Sequence, residues 1–208
     1  METTPTRQLR REPLQERGHE KIRRLLAAAD RLLAREGAEA LSTLRVAEEA
    51  DVSVGTLYRW FPDKEAIVEA LAIDHWNELY KLVAQVADRH ERSPGPDPFR
   101  DISEALTAGV RARPGFVALW FSNLRTENLR AATRPGRGNV ATSIERILAV
   151  HYPHAQRKTR TTVARMIVLM GDGLINEAFR VDRAGDRTIL THGTAAVRAY
   201  AEAQLGTA

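Results

Sequence analysis

The chain has 208 residues, 43% hydrophobic and 28% charged, with a formal net charge of +4. That is enough apolar material for one large domain, or for a small domain joined to a medium one. There is no cysteine, which excludes disulfide frameworks, zinc–thiolate sites and thiol nucleophiles. No apolar run approaches the roughly 20 residues needed to span a bilayer. The opening METTPTRQLRREPLQERG is polar and basic with no apolar stretch, so a cytoplasmic protein without a secretory signal or membrane anchor is expected. The mild positive charge suits nucleic acid, but it equally suits an ordinary basic protein.

Residues 1–18 read as a basic arm carrying Arg7, Arg10, Arg11 and Arg17. It is either a minor-groove arm or a solvated tail. From Lys21 the residues Ile22, Leu25, Leu26, Ala29, Leu32 and Leu33 recur at three and four, one face of an amphipathic helix that Gly37 ends. A second helix is expected after Ser42 or Thr43, with Val46, Ala47 and Ala50 on its buried face. Asp51-Val52-Ser53 breaks it, and Ser53 caps a short third helix, Val54 to about Phe61, which Pro62 closes. Lys64 opens a long fourth helix through Val86, and Ser93-Pro94-Gly95-Pro96-Asp97-Pro98 interrupts the chain. Further helices are expected over 99–111, 116–130, 139–152, about 155–181 and 186–205, separated by loops at 113–115, 134–138 and 152–153. The fold expected is all-α, about nine helices.

Residues 42–71, STLRVAEEADVSVGTLYRWFPDKEAIVEAL, have the spacing of a helix-turn-helix. A scaffold helix must pack behind a reading helix that is slim and polar where it enters the major groove. Val46, Ala47, Ala50, Val52 and Leu57 supply the packing, and Val54-Gly55-Thr56 the slim edge. Gly55 costs roughly 1 kcal/mol inside a helix relative to alanine, and its bare backbone permits close approach to DNA.

The segment VSVGTLYRWFPDKEAIVEA resembles the signature of the tetracycline-repressor (TetR) family, densely so over about residues 20–71. The resemblance implies a DNA-binding domain over 19–66 and a helical ligand-binding and dimerisation domain over 67–208. It implies that Thr43 and Lys64 hold phosphate, that Ser53 caps the reading helix, that Val54, Gly55 and Thr56 face bases or phosphates, and that Tyr58 bonds the DNA backbone. Arg45 and Arg59 join this set by placement, Arg59 with the option of reading guanine bidentately. Asp51 stands where the family usually has glycine, Trp60 where it has Tyr or His, and Val46 where it has Ile. Aspartate tolerates the left-handed conformation better than most residues, so the turn is expected to survive.

The resemblance further implies a homodimer on double-stranded, roughly palindromic operator DNA, with reading helices ~34–36 Å apart. A small-molecule inducer would release it, with no cofactor or metal. Phe116, Trp120, Phe121 and Arg125, with Trp76, Tyr80, Met166, Met170, Asp172 and Asn176, are the candidates for ligand contact; plain core is the competing reading for the apolar ones. Val163, Ile167 and Leu174, with the small Ala195 and Ala199, are the candidates for a four-helix dimer interface.

Two other classes compete. For an enzyme, Glu16-Arg17-Gly18-His19 gives a single ExxH where a di-iron site needs two. The His151, Tyr152, His154 group is interrupted by Pro153, and MIVLMGDG at 166–173 lacks the third glycine of a dinucleotide fingerprint, which would fall at Asn176. A helical binding or scaffold protein would require the helix-turn-helix to be non-functional.

Overall fold

The computed structural model describes residues 16–120 and 126–206, and within these only helices and their connections occur. They are α1 (Glu16–Glu36), α2 (Thr43–Glu49), α3 (Val54–Trp60), α4 (Lys64–Arg92), α5 (Pro98–Arg111), α6 (Pro114–Trp120), α7 (Glu127–His151), α8 (Arg157–Val181) and α9 (Arg187–Leu205). They form two compact units: one of α1–α3 with the start of α4 to His75 and residues 113–134, the other of residues 76–112 and 135–208. α4 and α7 therefore each contribute to both.

In the first unit, α1 buries Leu25, Ala29, Leu32 and Leu33 in a core shared with Val46, Ala47, Leu57, Phe61, Ile67 and Leu71. α1 begins at Glu16, five residues before the Lys21 at which the apolar periodicity starts. Gly37 ends it at φ 81°, and its N–H bonds the Leu33 carbonyl at 3.0 Å. Three α1 arginines hold α2. Arg24 donates to the Ala50 carbonyl at 2.9 Å; Arg31 and Arg35 donate to the two carboxylate oxygens of Glu49 at 2.8 and 2.9 Å. The hydrogen bonds from Arg35 and then Arg31 push the Glu49 carboxyl down to about 2.

α6 packs on α1 in the same unit. Gly115 lies so close that a Cβ there would stand 2.1 Å from the Asp30 carbonyl oxygen. Burial raises the pKa of Asp30, against the lowering effect of the Arg113 charge and of the nearby backbone N–H groups of Gly115 and Phe116. Arg113 donates to Asp74 of α4 at 2.7 Å.

In the second unit, α8 and α9 pair, and α5 packs on α9. Asp97 caps α5 by accepting the Arg100 N–H at 3.0 Å, with Pro98 in the first turn. Asp186 caps α9 by accepting the Ile189 N–H at 2.9 Å. Ile102, Ile144, Ile147, Leu148, Val163 and Ile167 are among its buried side chains.

The helices expected over 116–130 and 139–152, and the loop between them, are corrected. α6 is described over Pro114–Trp120 and the chain is not helical at residue 126; residues 127–130 and the supposed loop 134–138 both lie inside the 25-residue α7. Pro135 is interior to α7 at a local cost of about 3 kcal/mol. The adjacent Gly136 is no breaker: it is buried against Trp76, where a Cβ would come within 2.6 Å of the Trp76 Cβ. The Pro-Gly pair thus marks close helix packing.

Candidate nucleic-acid interface

The two short helices of the first unit are built by their caps. The Ser42 hydroxyl accepts the Arg45 N–H at 3.2 Å, and the Ser53 hydroxyl accepts the Thr56 N–H at 3.2 Å, satisfying donors a helix start leaves open. Between them Asp51 adopts φ 53°, the left-handed turn that glycine would otherwise supply. Its neighbour Val52 donates back to the Ala47 carbonyl at 3.0 Å. Asp63 caps α4, accepting the Ala66 N–H at 2.9 Å.

This frame sorts the side chains of α3. Leu57, Trp60 and Phe61 are buried. Ser53, Gly55, Tyr58 and Arg59 are exposed, and Val54, Thr56 and Lys64 are half-buried. Tyr58 is 42% exposed despite its size, with its hydroxyl 3.1 Å from the Thr43 hydroxyl of α2. The Ser53 and Thr56 hydroxyls lie 2.9 Å apart. Gly55 has nothing within 4 Å of where its Cβ would stand, and its φ is not positive, so neither packing nor backbone conformation requires glycine there. Arg45 is exposed but engaged, donating through Nη2 to both Glu36 oxygens at 2.9 Å. What α2 and α3 present outward includes hydroxyls, one bare backbone position and the guanidinium groups of Arg45 and Arg59, backed by a close-packed core. That set can donate hydrogen bonds to phosphate oxygens and base edges.

Two family profiles match the chain: "Bacterial regulatory proteins, tetR family" over residues 25–71, and "Tetracyclin repressor-like, C-terminal domain" over residues 96–205. The chain belongs to the TetR family. Among curated TetR-like relatives, the transcriptional repressor KstR of Rhodococcus jostii is 36% identical over 94 residues, 45% of this chain and 41% of KstR. A helix-turn-helix-type regulator of Haemophilus influenzae is 46% identical over 48 residues, 23% of this chain and 26% of that protein. The nucleoid occlusion factor SlmA of Vibrio cholerae is 30% identical over 141 residues, 63% of this chain and 69% of SlmA. The chain thus spans between a quarter and two-fifths of the length of the first two relatives. Among solved structures, a TetR-family regulator of Streptomyces coelicolor superposes with a TM-score of 0.64 at 27% identity, covering 89% of this chain and 99% of that one. One from Mesorhizobium loti reaches 0.70 at 16% identity, covering 89% and 97%. The multidrug binding protein EbrR, complexed with imidazole, reaches 0.61 at 22% identity, covering 86% and 93%.

The other candidate residues of this TetR-family chain divide between the units. Phe116 is buried in the first, stacked on His75 with ring centroids 3.6 Å apart. Phe121 and Arg125 lie outside the described residues, and Trp120 is the last described residue of α6. In the second unit Trp76 is buried and Tyr80 exposed. Sequence reasoning missed Arg137. Its guanidinium lies 4.8 Å from the Trp76 ring centroid, and its Nη2 is 3.2 Å from a carboxylate oxygen of Asp172. Asn176 donates to the Asp172 main-chain carbonyl. Trp76, Arg137, Asp172 and Asn176 thus form one polar assembly on α4, α7 and α8. Only a pairing across helices distant in sequence reveals Arg137. A second such assembly joins buried His90 to Asp101 at 2.9 Å and to His151 at 2.8 Å, while His154 is exposed.

Val163 and Ile167 are enclosed by their own chain and Leu174 is half-buried, whereas Ala195 and Ala199 are exposed. On α8 the open face carries Leu169, 55% exposed, with Gly173 and half-buried Met166 and Met170 beside it. Among the described residues no group of three His, Asp or Glu side chains is placed to hold a metal ion, and no helix is long and apolar enough to cross a membrane.

Proposed function

We propose that the protein is a dimeric transcriptional repressor that binds palindromic operator DNA through α2 and α3 and leaves it when a small molecule binds the second unit. The observation that carries DNA binding is the edge of α3 formed by Gly55, Tyr58 and Arg59, which are exposed, with glycine at 55 required neither by packing nor by backbone conformation. Thr43, Ser53, Tyr58 and Lys64 are the phosphate contacts, and Gly55, Thr56 and Arg59 the groove contacts. Repression rather than activation is supported by the likeness to KstR.

The ligand would engage Trp76, Arg137, Asp172 and Asn176, a flat ring and a charged pair able to orient a molecule with both aromatic and polar parts. EbrR, named as a multidrug binding protein, supports a small-molecule role. α4 and α7 run through both units, so a ligand that displaces either in the second unit acts on the first. There α6 is keyed to α1 by Gly115 and to α4 by Arg113. Such coupling requires the ligand to have different affinities for the two arrangements. The partner subunit would be held by the open face around Leu169 and Gly173 on α8.

Footprinting on DNA flanking the protein's own gene tests this reading, with light scattering to count subunits. A two-fold-symmetric footprint from a dimer, erased by some member of a small-molecule library, is expected. A monomer with no footprint would refute it.

A further inference from the structure

We propose that the second unit carries a separate site for a short-chain monocarboxylate, built between α5, α8 and α9. An apolar slot of about 40 Å³ lies among these helices, walled by Phe99, Ile102, Leu106, Ile167 and Val197. It abuts a polar groove of about 630 Å³ along α5 and α9, and Ser103, Leu190 and Thr194 line both. The site shares no residue with the Trp76–Arg137–Asp172 assembly.

Three observations define the occupant. The first is the slot's emptiness. Gly171 lines it, and a Cβ built there meets nothing within 4 Å. Glycine inside a helix is destabilising relative to alanine, and here neither crowding nor positive φ demands it. Its effect is to keep the slot open. The volume is far below the roughly 150 Å³ that holds benzene, so the slot takes the end of a short alkyl chain.

The second is charge. The groove is lined by four arginines, Arg100, Arg111, Arg187 and Arg198, against Asp97, Glu104 and Glu202, an excess of one positive charge. Arg198 is paired with Asp97 and Arg100 with Glu104. Arg111 instead donates to the Ala184 carbonyl at 2.8 Å, in the α8–α9 connection three residues before Arg187. Arg111 and Arg187 line the same groove. A carboxylate there would accept from both, and charge-assisted hydrogen bonds are the strong kind.

The third is the boundary. Thr194 donates to the Ser103 hydroxyl at 2.9 Å, a polar pair between slot and groove. Leu190 lies one helical turn from Arg187, so a chain anchored at the arginines reaches the slot within a few carbon atoms.

The probes are sodium butyrate, 1-butanol and butylammonium chloride, followed by ligand-observed NMR on the full-length protein. Butyrate alone is expected to bind. Gly171→Leu, which fills the slot, and Arg187→Gln, which removes a cation without touching the core, should each weaken it on the order of tenfold or more. Circular dichroism checks that the Gly171→Leu chain stays folded; Arg187→Gln carries the test if it does not. Equal binding of butyrate and butanol, unchanged binding in Arg187→Gln, or no butyrate binding at all would overturn the proposal.

Discussion

Thr43 on α2 and Tyr58 on α3 share a hydrogen bond, their hydroxyl oxygens 3.1 Å apart on the exposed side of the helix-turn-helix. Tyr58 is thereby held in place before DNA arrives, sparing part of the entropy a free side chain would lose on binding. Tyr58→Phe removes the hydroxyl and leaves the ring. Its folding stability should change by no more than about 0.5 kcal/mol. Its affinity for operator should fall by about 1.5–3 kcal/mol, the worth of a hydrogen bond to a charged group. Thr43→Ser should retain most of the binding that Thr43→Val loses. Denaturation curves and anisotropy titrations on the same samples check both halves.

Gly55 separates binding from folding more sharply. A Cβ there meets nothing, so Gly55→Ala should stabilise the protein by up to about 1 kcal/mol. The same methyl group would stand between the helix backbone and DNA, so affinity should drop. A variant that melts higher and binds more weakly is the expected outcome.

Gly115 should behave in the opposite way. Its Cβ would collide with the Asp30 main chain at 2.1 Å, where neither atom can swing aside. Gly115→Ala should cost about 1–3 kcal/mol of stability, the range for overpacking, measurable by urea denaturation.

His75 sets a pH dependence. Burial, and then the charge of Arg113, lower its pKa from 6.5 to about 3. Folded His75 is therefore neutral where the unfolded chain would bind a proton. Stability should fall as pH drops below about 6.5, by up to ~1.4 kcal/mol per pH unit from this group, down to about pH 3. Asp30, with its raised pKa, acts with the opposite sign. The informative quantity is consequently the difference between wild type and His75→Leu at pH 7, 6 and 5, and the variant should lose less stability on acidification.

α2, α3 and the start of α4 were legible in the sequence because each of these boundaries has a local chemical cause. Ser42, Ser53 and Asp63 cap helices through their own side chains, and Asp51 supplies the turn. α7 was not legible, because Pro135-Gly136 signals a break to any local rule; the buried face of Trp76, 60 positions earlier, makes glycine the residue that fits. Arg137 escaped notice for the same reason. An aromatic run such as 116–121 has one appearance whether it lines a cavity or closes a core. The burial of Val163 and Ile167 likewise depends on which neighbour reaches them first.

Operator binding is the claim on which the functional reading rests. Its most direct test is fluorescence anisotropy of the full chain with labelled DNA from beside its own gene, at two salt concentrations, with Tyr58→Phe and Lys64→Ala alongside. Tight, sequence-specific binding that weakens steeply with salt and in both variants is the expected result. A folded dimer that binds none of several such fragments at low salt, or binds them all alike, would contradict it.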